Sequence, residues 1–409
     1  MARKKQRSKV KISVEVILAL FLLALVAATV CYFLIPEFKK NVDGYFQQVF
    51  GGKTPANLAK GEHELRVHYL DVGQGDCIFI EFPDDTVMLI DSGNRNNDDA
   101  AYITGYLEER DVTVIDYLML THPDSDHVGN MVQVLDAFEV EKAYVPYIEE
   151  GVITSNVYNN FVAALNAKTY KTEGGGTAAC EIEISQMGEL IESENETDEF
   201  FMAFLSPSPR GMYEDGEYEK LNAKKNNRVS DDRNGVSPIT YLEYMGKRLM
   251  FTGDVTGKPA ERVMERYNSG VYRNMFPNGE GYYSVDLSGG ADVYKVAHHG
   301  SRLEGCNSTA FLQFVKPKYA ICCVKEGSYN DMPASALKSD LAELGTKLYR
   351  TDENGTVVVT VSPDSENIAL YLTRQDQTIG KEEEIAAATA YFVGRRKIMV
   401  NCGFAAAIA

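Results

Sequence analysis

The chain has 409 residues, 44% of them hydrophobic, which allows one or two domains with a sizeable core and excludes a disordered chain. Its 59 acidic residues against 41 basic ones give a net charge of −18. That excess argues against a broad non-specific grip on nucleic acid, although it leaves room for a substrate held locally by metal ions.

Residues 1–11 are strongly basic, and Ile12 to Ile35 is almost wholly apolar, with Glu15 its one charge. A run of this length predicts a single membrane-crossing helix with its basic end cytoplasmic and the rest of the chain extracytoplasmic. A cleaved signal peptide fits less well, because the run is long and Cys31 to Pro36 offers no small-x-small cleavage site. Residues 36–62 read as a polar tether. Strand-like runs follow at Arg66–Val72, Cys77–Phe82 and Val87–Asp91, then a helix at Ala100–Arg110 and a buried strand at Val114–Leu120. Strands and helices alternate to about residue 350, which predicts a layered α/β domain over residues 63–375. Within it, Glu189–Glu199 reads as an acidic surface loop. Arg210–Asn234 reads as a charged, turn-rich segment, mobile or bordering a site. Val357–Thr373 reads as two closing strands. Residues 376–409 form no usable motif. Of the seven cysteines no two make a CxxC pair, so buried free thiols are expected rather than a zinc ribbon or a disulfide framework.

Four segments carry candidate chemistry. The densest is Thr121-His122-Pro123-Asp124-Ser125-Asp126-His127, which places two imidazoles and two carboxylates directly after a strand. Ligands packed this closely can surround metal ions, and a metal ion makes water a strong nucleophile near neutral pH. The others are Thr252-Gly253-Asp254, His298-His299-Gly300-Ser301, and Asp71-Val72-Gly73-Gln74-Gly75-Asp76; each again follows or joins strands. A recurring strand-then-ligand pattern is what a sheet edge produces when loops build a site there. Taken singly, several residues have plainer readings. Asp254 could cap a helix near Lys258, and Gly73 and Gly75 read as turn glycines, since no phosphate-cradling glycine motif is present. The spacing leaves open which of His298 and His299 would bind metal. His63 and His68 are expected to be non-ligands, and Lys224, Lys225 and Arg228 a solvated face.

The stretches LDVGQGDC, LIDSGN, LTHPDSDHVGN, LMFTGDV, VAHHGS and LYRTDENGTV, in this order, resemble the metallo-β-lactamase fold superfamily. LDVGQGD narrows the resemblance to the branch containing the extracellular domain of the competence DNA-uptake protein ComEC. The resemblance implies a four-layer αβ/βα sandwich, here preceded by one transmembrane helix, with two divalent ions, zinc or manganese. His122 and Asp124 would hold one ion. Asp126, His127 and one of His298 and His299 would hold the other, and Asp254 would bridge them, with Asp126 and Asp254 the catalytic carboxylates. Asp71, Gln74, Asp76, Asp91, Asn234, Ser237 and Ser301 would stand behind the ligands or on the substrate side. Departures exist: Asp124 stands where classical members have a histidine, no histidine lies between His127 and His298, and Met332 stands where relatives often have one, with Asp331 the nearest substitute. The implied function is a membrane-anchored, metal-dependent hydrolase, a phosphodiesterase or nuclease acting on a phosphodiester, DNA among the candidates. A hydrolase of another ester, a lactone or a cell-wall phosphodiester is the alternative, as is a binding protein that kept the fold without catalysis.

Overall fold

Largely buried strands, whose successive side chains point into opposite layers, build the two sheets that organise the molecule. In β1 (Leu65–Tyr69), Leu65, Val67 and Tyr69 face one way and Arg66 and His68 the other. The computed structural model describes residues 60–379 except 173, 196 and 329–331. The expected basic tail, membrane helix, all but the end of the tether, Asp331 and the chain beyond 379 therefore lie outside the described residues. Among the described residues, no helix is long and apolar enough to cross a membrane.

The first half further contributes to these sheets β2 (Ile78–Glu81), β3 (Val87–Ile90), β4 (Val114–Met119), β5 (Glu139–Val145) and β6 (Glu181–Ile184). The second half supplies β7 (Leu190–Glu192), β8 (Phe200–Phe204), β9 (Thr240–Tyr244), β10 (Lys247–Phe251), β11 (Val293–Lys295), β12 (Tyr319–Cys322) and β13 (Lys347–Arg350). The chain then closes with β14 (Val357–Val361), β15 (Ala369–Leu372) and β16 (Gln377–Ile379). One sheet has the order β16-β15-β14-β1-β2-β3-β4-β5-β6 and the other β13-β12-β11-β10-β9-β8-β7. Each sheet joins an antiparallel group to a parallel one, β3 to β6 in the first and β10 to β13 in the second.

Three apolar clusters separate four layers. Tyr69, Ile80 and Val359 of the first sheet meet Phe204, Leu249 and Val293 of the second in the central cluster. Outside the first sheet, Phe79 and Leu89 pack on helices α1 (Asn97–Glu108) and α2 (Met131–Ala137) through Ile103, Tyr106 and Val134. Outside the second, Met250 and Tyr294 pack on α3 (Gly257–Asn268) and α4 (Thr309–Val315) through Val263, Phe311 and Leu312. Each such side chain contributes roughly 1.5–3 kcal/mol on burial, so the alternation fixes which way every strand faces.

Some expectations shift. Helix α1 begins before Ala100 because the side chain of Asn96 caps it, accepting from Asp98 N–H. The acidic stretch expected as a loop forms β7 at Leu190–Glu192, because Ile191 is buried against the second sheet. The segment Arg210–Asn234 carries two short helices, Glu217–Asn222 and Ser230–Asn234; the first is anchored by the buried pair of Glu217 and Arg262. A third closing strand, β16, carries the first sheet past residue 375.

Candidate metal centre

Parallel strands bring their C-terminal ends to one edge, and both sheets do so at the same place. Asp91 follows β3, Thr121 to His127 follow β4, Asp254 follows β10, and His298 and His299 follow β11. Residues more than a hundred positions apart thereby meet, as loops outside carboxyl ends of strands commonly do.

Asp254 stands at the centre. Its Oδ2 lies 3.3 Å from Nε2 of His127, 3.4 Å from Nε2 of His299, 3.8 Å from Nε2 of His298 and 3.9 Å from Nε2 of His122. Asp126 Oδ2 lies 3.4 Å from His299 Nε2. Asp126, His127, Asp254 and His299 each offer a donor atom within 4.8 Å of the others. Both histidines of the doublet turn inward because each adopts left-handed backbone, His298 at φ 46° and His299 at φ 51°. For residues other than glycine this costs roughly 1–3 kcal/mol each, strain that persists where packing over-determines it. Gly300 makes the turn possible: at φ 85°, a Cβ there would come 2.4 Å from Pro333 Cβ.

The imidazoles are held from behind. His127 donates Nδ1–H to Asp91 Oδ2 at 2.6 Å, and Asp91 also accepts from Thr121 N–H at 2.8 Å and Thr121 Oγ1 at 2.6 Å. His299 donates Nδ1–H to the Cys323 carbonyl at 2.8 Å. His122 Nδ1 faces Thr121 Oγ1 at 3.0 Å and Ser237 Oγ at 3.3 Å, and the Asp254 N–H donates to the same Ser237 Oγ at 3.2 Å. These contacts occupy the outer nitrogens and leave the Nε2 lone pairs pointing inward, the arrangement a metal ligand needs. Asp76, Asp91 and His127 also lie together, but His127 spends Nδ1 on Asp91, so this second group orients the imidazole rather than offering a separate cation site.

The buried carboxylates of the pocket call for positive charge. Nε2 of His122, His127 and His299 and Oδ1 of Asp254 are buried with no hydrogen-bond partner among the described residues. Burial opposes protonation of His299, yet Asp254, Asp126 and Asp76 outweigh it and push its pKa up to about 10. Burial likewise opposes protonation of His127, and Asp254 and Asp91 overcome it and raise the pKa well above the usual imidazole range. For Asp254, burial favours the neutral acid, but His299, His127 and His298 hold the carboxyl well below the usual range. Inward lone pairs, carboxylate oxygens between them and orphaned buried atoms fit a divalent cation, which would supply the charge these groups otherwise draw from protons.

Other expected residues have different surroundings. Asp124 is held by Arg233, whose Nε and Nη2 fork onto its two oxygens, Nη2 to Oδ2 at 3.0 Å. It stands outside the four-residue donor group. Asp76 is buried beside the cluster and pairs with the Nζ of Lys295. Ser237 touches His122 and Asp254, while Asn234 donates its amide to Ser230 Oγ at 3.2 Å. Asp71 pairs with Arg374 at 2.8 Å. Gln74 accepts from Lys325 N–H and lies 4.0 Å from Met332 Sδ, so the first glycine-rich turn and the Met332 segment share a wall. Ser301 closes the doublet turn, its N–H donating to the His298 carbonyl at 2.8 Å. Sequence reasoning missed Lys295 and Arg233. A lysine within the apolar run Val293–Ala297 was a legible signal, since a fully buried lysine nearly always has a partner. Nothing in the sequence tied Arg233 to Asp124. Next to Asp126 a cavity of about 500 Å³ opens, its wall including Ser125, Thr154, Asn226, Arg228 and Arg233.

The sequence model of the metallo-beta-lactamase superfamily matches residues 70–166. ComE operon protein 3 of Bacillus subtilis (strain 168) is 25% identical over 309 residues, covering 72% of this chain and 33% of that protein. Competence protein ComA of Neisseria gonorrhoeae is 24% identical over 299 residues, covering 72% of this chain and 32% of that protein. The chain thus spans about a third of the length of these relatives. Among solved structures, Igni18, a metallo hydrolase from Ignicoccus hospitalis KIN4/I, is 12% identical and covers 72% of this chain and 98% of that one. Its TM-score is 0.37. The family match and the two relatives bear out the resemblance to the metallo-beta-lactamase superfamily and its competence-protein branch, and a metal-dependent hydrolase is the enzyme class they support.

Proposed function

We propose that this chain, a metal-dependent hydrolase of the metallo-β-lactamase type, is a membrane-anchored phosphodiesterase or nuclease. The observation that carries the reading is the convergence of four imidazole Nε2 atoms on one oxygen of Asp254, beside Asp126, with buried donor atoms left unpartnered. Asp126, His127, Asp254 and His299 would hold one divalent ion; His122, His298 and the shared Asp254 are the remaining donors for a second. When bound, such an ion supplies Lewis-acid stabilisation of developing negative charge and activates water near neutral pH. The carboxylate-rich set suits manganese as well as zinc.

The protein's own residues do the positioning. Asp91 and the Cys323 carbonyl lock the imidazoles of His127 and His299, so no reorganisation is needed when charge develops. Asp126 is the member of the cluster that also lines the cavity, which puts Oδ2 where it can orient an attacking water. Arg228 and Arg233 on the same wall suit an anionic ester, and the competence relatives favour DNA as that ester. The apolar run Ile12–Ile35 would tether this activity to the membrane, with the domain outside.

The test is turnover of bis-p-nitrophenyl phosphate and of single-stranded DNA by the full chain loaded with manganese or with zinc. Asp254→Ala is expected to lose more than about a hundredfold in kcat/KM, several kcal/mol of metal-derived stabilisation. Absence of turnover with both metals and both substrates sinks the reading, as does an Asp254→Ala variant as active as the parent.

A further inference from the structure

The resemblance counts Asp124 as a metal ligand, yet in the structure that carboxylate already has a cation. Arg233, in the short helix Ser230–Asn234, forks onto both Asp124 oxygens, and both side chains are largely withdrawn from solvent at 21% and 23% exposure. A bidentate guanidinium is a strong partner for a carboxylate, and its charge repels an incoming metal ion. The other carboxylates of the centre are different. Asp126 and Asp254 face imidazoles, and Asp254 Oδ1 has no hydrogen-bond partner among the described residues. The four-donor group is therefore ready for an ion. A second position built on His122 and His298 would have two imidazoles and only the shared Asp254 as its carboxylate.

We infer that Arg233 sets how many metal ions this protein holds: one divalent ion resides on Asp126, His127, Asp254 and His299, and a second binds only when Arg233 releases Asp124 to join His122, His298 and Asp254. This rests on the proposed metal centre. The same arginine lines the cavity of about 500 Å³ beside Asp126, together with Arg228 and Asn226. A phosphodiester entering there presents two non-bridging oxygens, which match the guanidinium fork as a carboxylate does. Substrate and Asp124 then compete for Arg233, and substrate binding frees Asp124 for the second ion. By linkage each event favours the other by the same factor.

Calorimetric titration of the metal-stripped full chain with Mn²⁺, in the presence and absence of dimethyl phosphate, tests this without reference to catalysis. The wild type is expected to bind one ion tightly and a second at least about tenfold more weakly, the second strengthening when dimethyl phosphate is present. Arg233→Gln is expected to tighten the second site by at least about tenfold and to lose the effect of the diester. Arg233→Lys, which keeps the charge without the fork, falls between. Asp124→Asn removes the second ion and spares the first. Two equally tight ions in the wild type, or a second site indifferent both to Arg233→Lys and to the diester, overturn the inference. With hydrolysis intact, that result leaves the hydrolase reading standing; a protein that binds no divalent ion at all overturns both.

Discussion

Replacing Asp91 by asparagine tests whether the carboxylate behind His127 governs the metal centre. Asp91 is fully buried and accepts three hydrogen bonds, from His127 Nδ1–H, Thr121 N–H and Thr121 Oγ1. Asparagine keeps one acceptor oxygen and places an NH₂ where the other stood. If the amide oxygen serves Thr121, the NH₂ faces His127 Nδ1, which must then accept. The proton moves to Nε2, the nitrogen that points at Asp254, and the lone pair needed by a cation is lost. Hydrogen bonds to charged groups are worth roughly 1.5–3 kcal/mol each, and one of three fails outright. Changes of this kind behind a ligand typically weaken metal binding about 10–100-fold, or roughly 1.4–2.7 kcal/mol. Titration of metal-stripped protein with Mn²⁺ or Zn²⁺, alongside urea unfolding, measures both effects. A folded Asp91→Asn variant that binds metal within about threefold of the wild type would refute the argument that this contact fixes the tautomer.

Two further substitutions probe the frame. Lys295 is fully buried and pairs with Asp76, so Lys295→Met should destabilise the protein by about 3–5 kcal/mol by leaving a buried carboxylate unpaired, and Lys295→Met/Asp76→Asn should recover much of that in denaturant titrations. A single-variant loss below about 1 kcal/mol would show that Lys295 does not balance that charge. Asp116 has its pKa raised from 3.8 to about 6, mainly because burial disfavours its charged form while the Val87 N–H acts in the opposite direction. Because the folded pKa is the higher one, its contribution is fully present below pH 3.8 and is lost as pH rises through about 6. Asp116→Asn should therefore match the wild type near pH 3.5 and exceed it by about 1–2 kcal/mol at pH 8, a figure discounted for partial exposure; an equal gain at both pH values contradicts the assignment.

The stretch from Thr121 to His127 announced a cation site, because two imidazoles and two carboxylates so close together after a buried strand have few other uses. Short apolar runs likewise announced strands such as β1 to β4, since burial rewards such runs residue by residue. The family motifs placed Asp254 and the doublet in one centre with His127. Spacing alone could not have done so, because a turn residue after β10 reads equally well as a helix cap.

Both doublet histidines reach Asp254, which spacing left undecided, because two consecutive left-handed residues turn both rings inward and Gly300 alone fits against Pro333. Asp91, which had a plain structural reading, sits under His127. Asp71, a candidate for the substrate side, is paired with Arg374. The sequence by itself determined many of the elements and the chemical types gathered for the site, since apolar runs and composition are local, whereas β7, β16 and the helices Glu217–Asn222 and Ser230–Asn234 were decided by packing. Only the tertiary structure decided that Lys295 lies under Asp76 and that Arg233 holds Asp124. Those pairings join residues 219 and 109 positions apart across the meeting edges of two sheets, and charge complementarity at such range leaves no periodic trace in the chain.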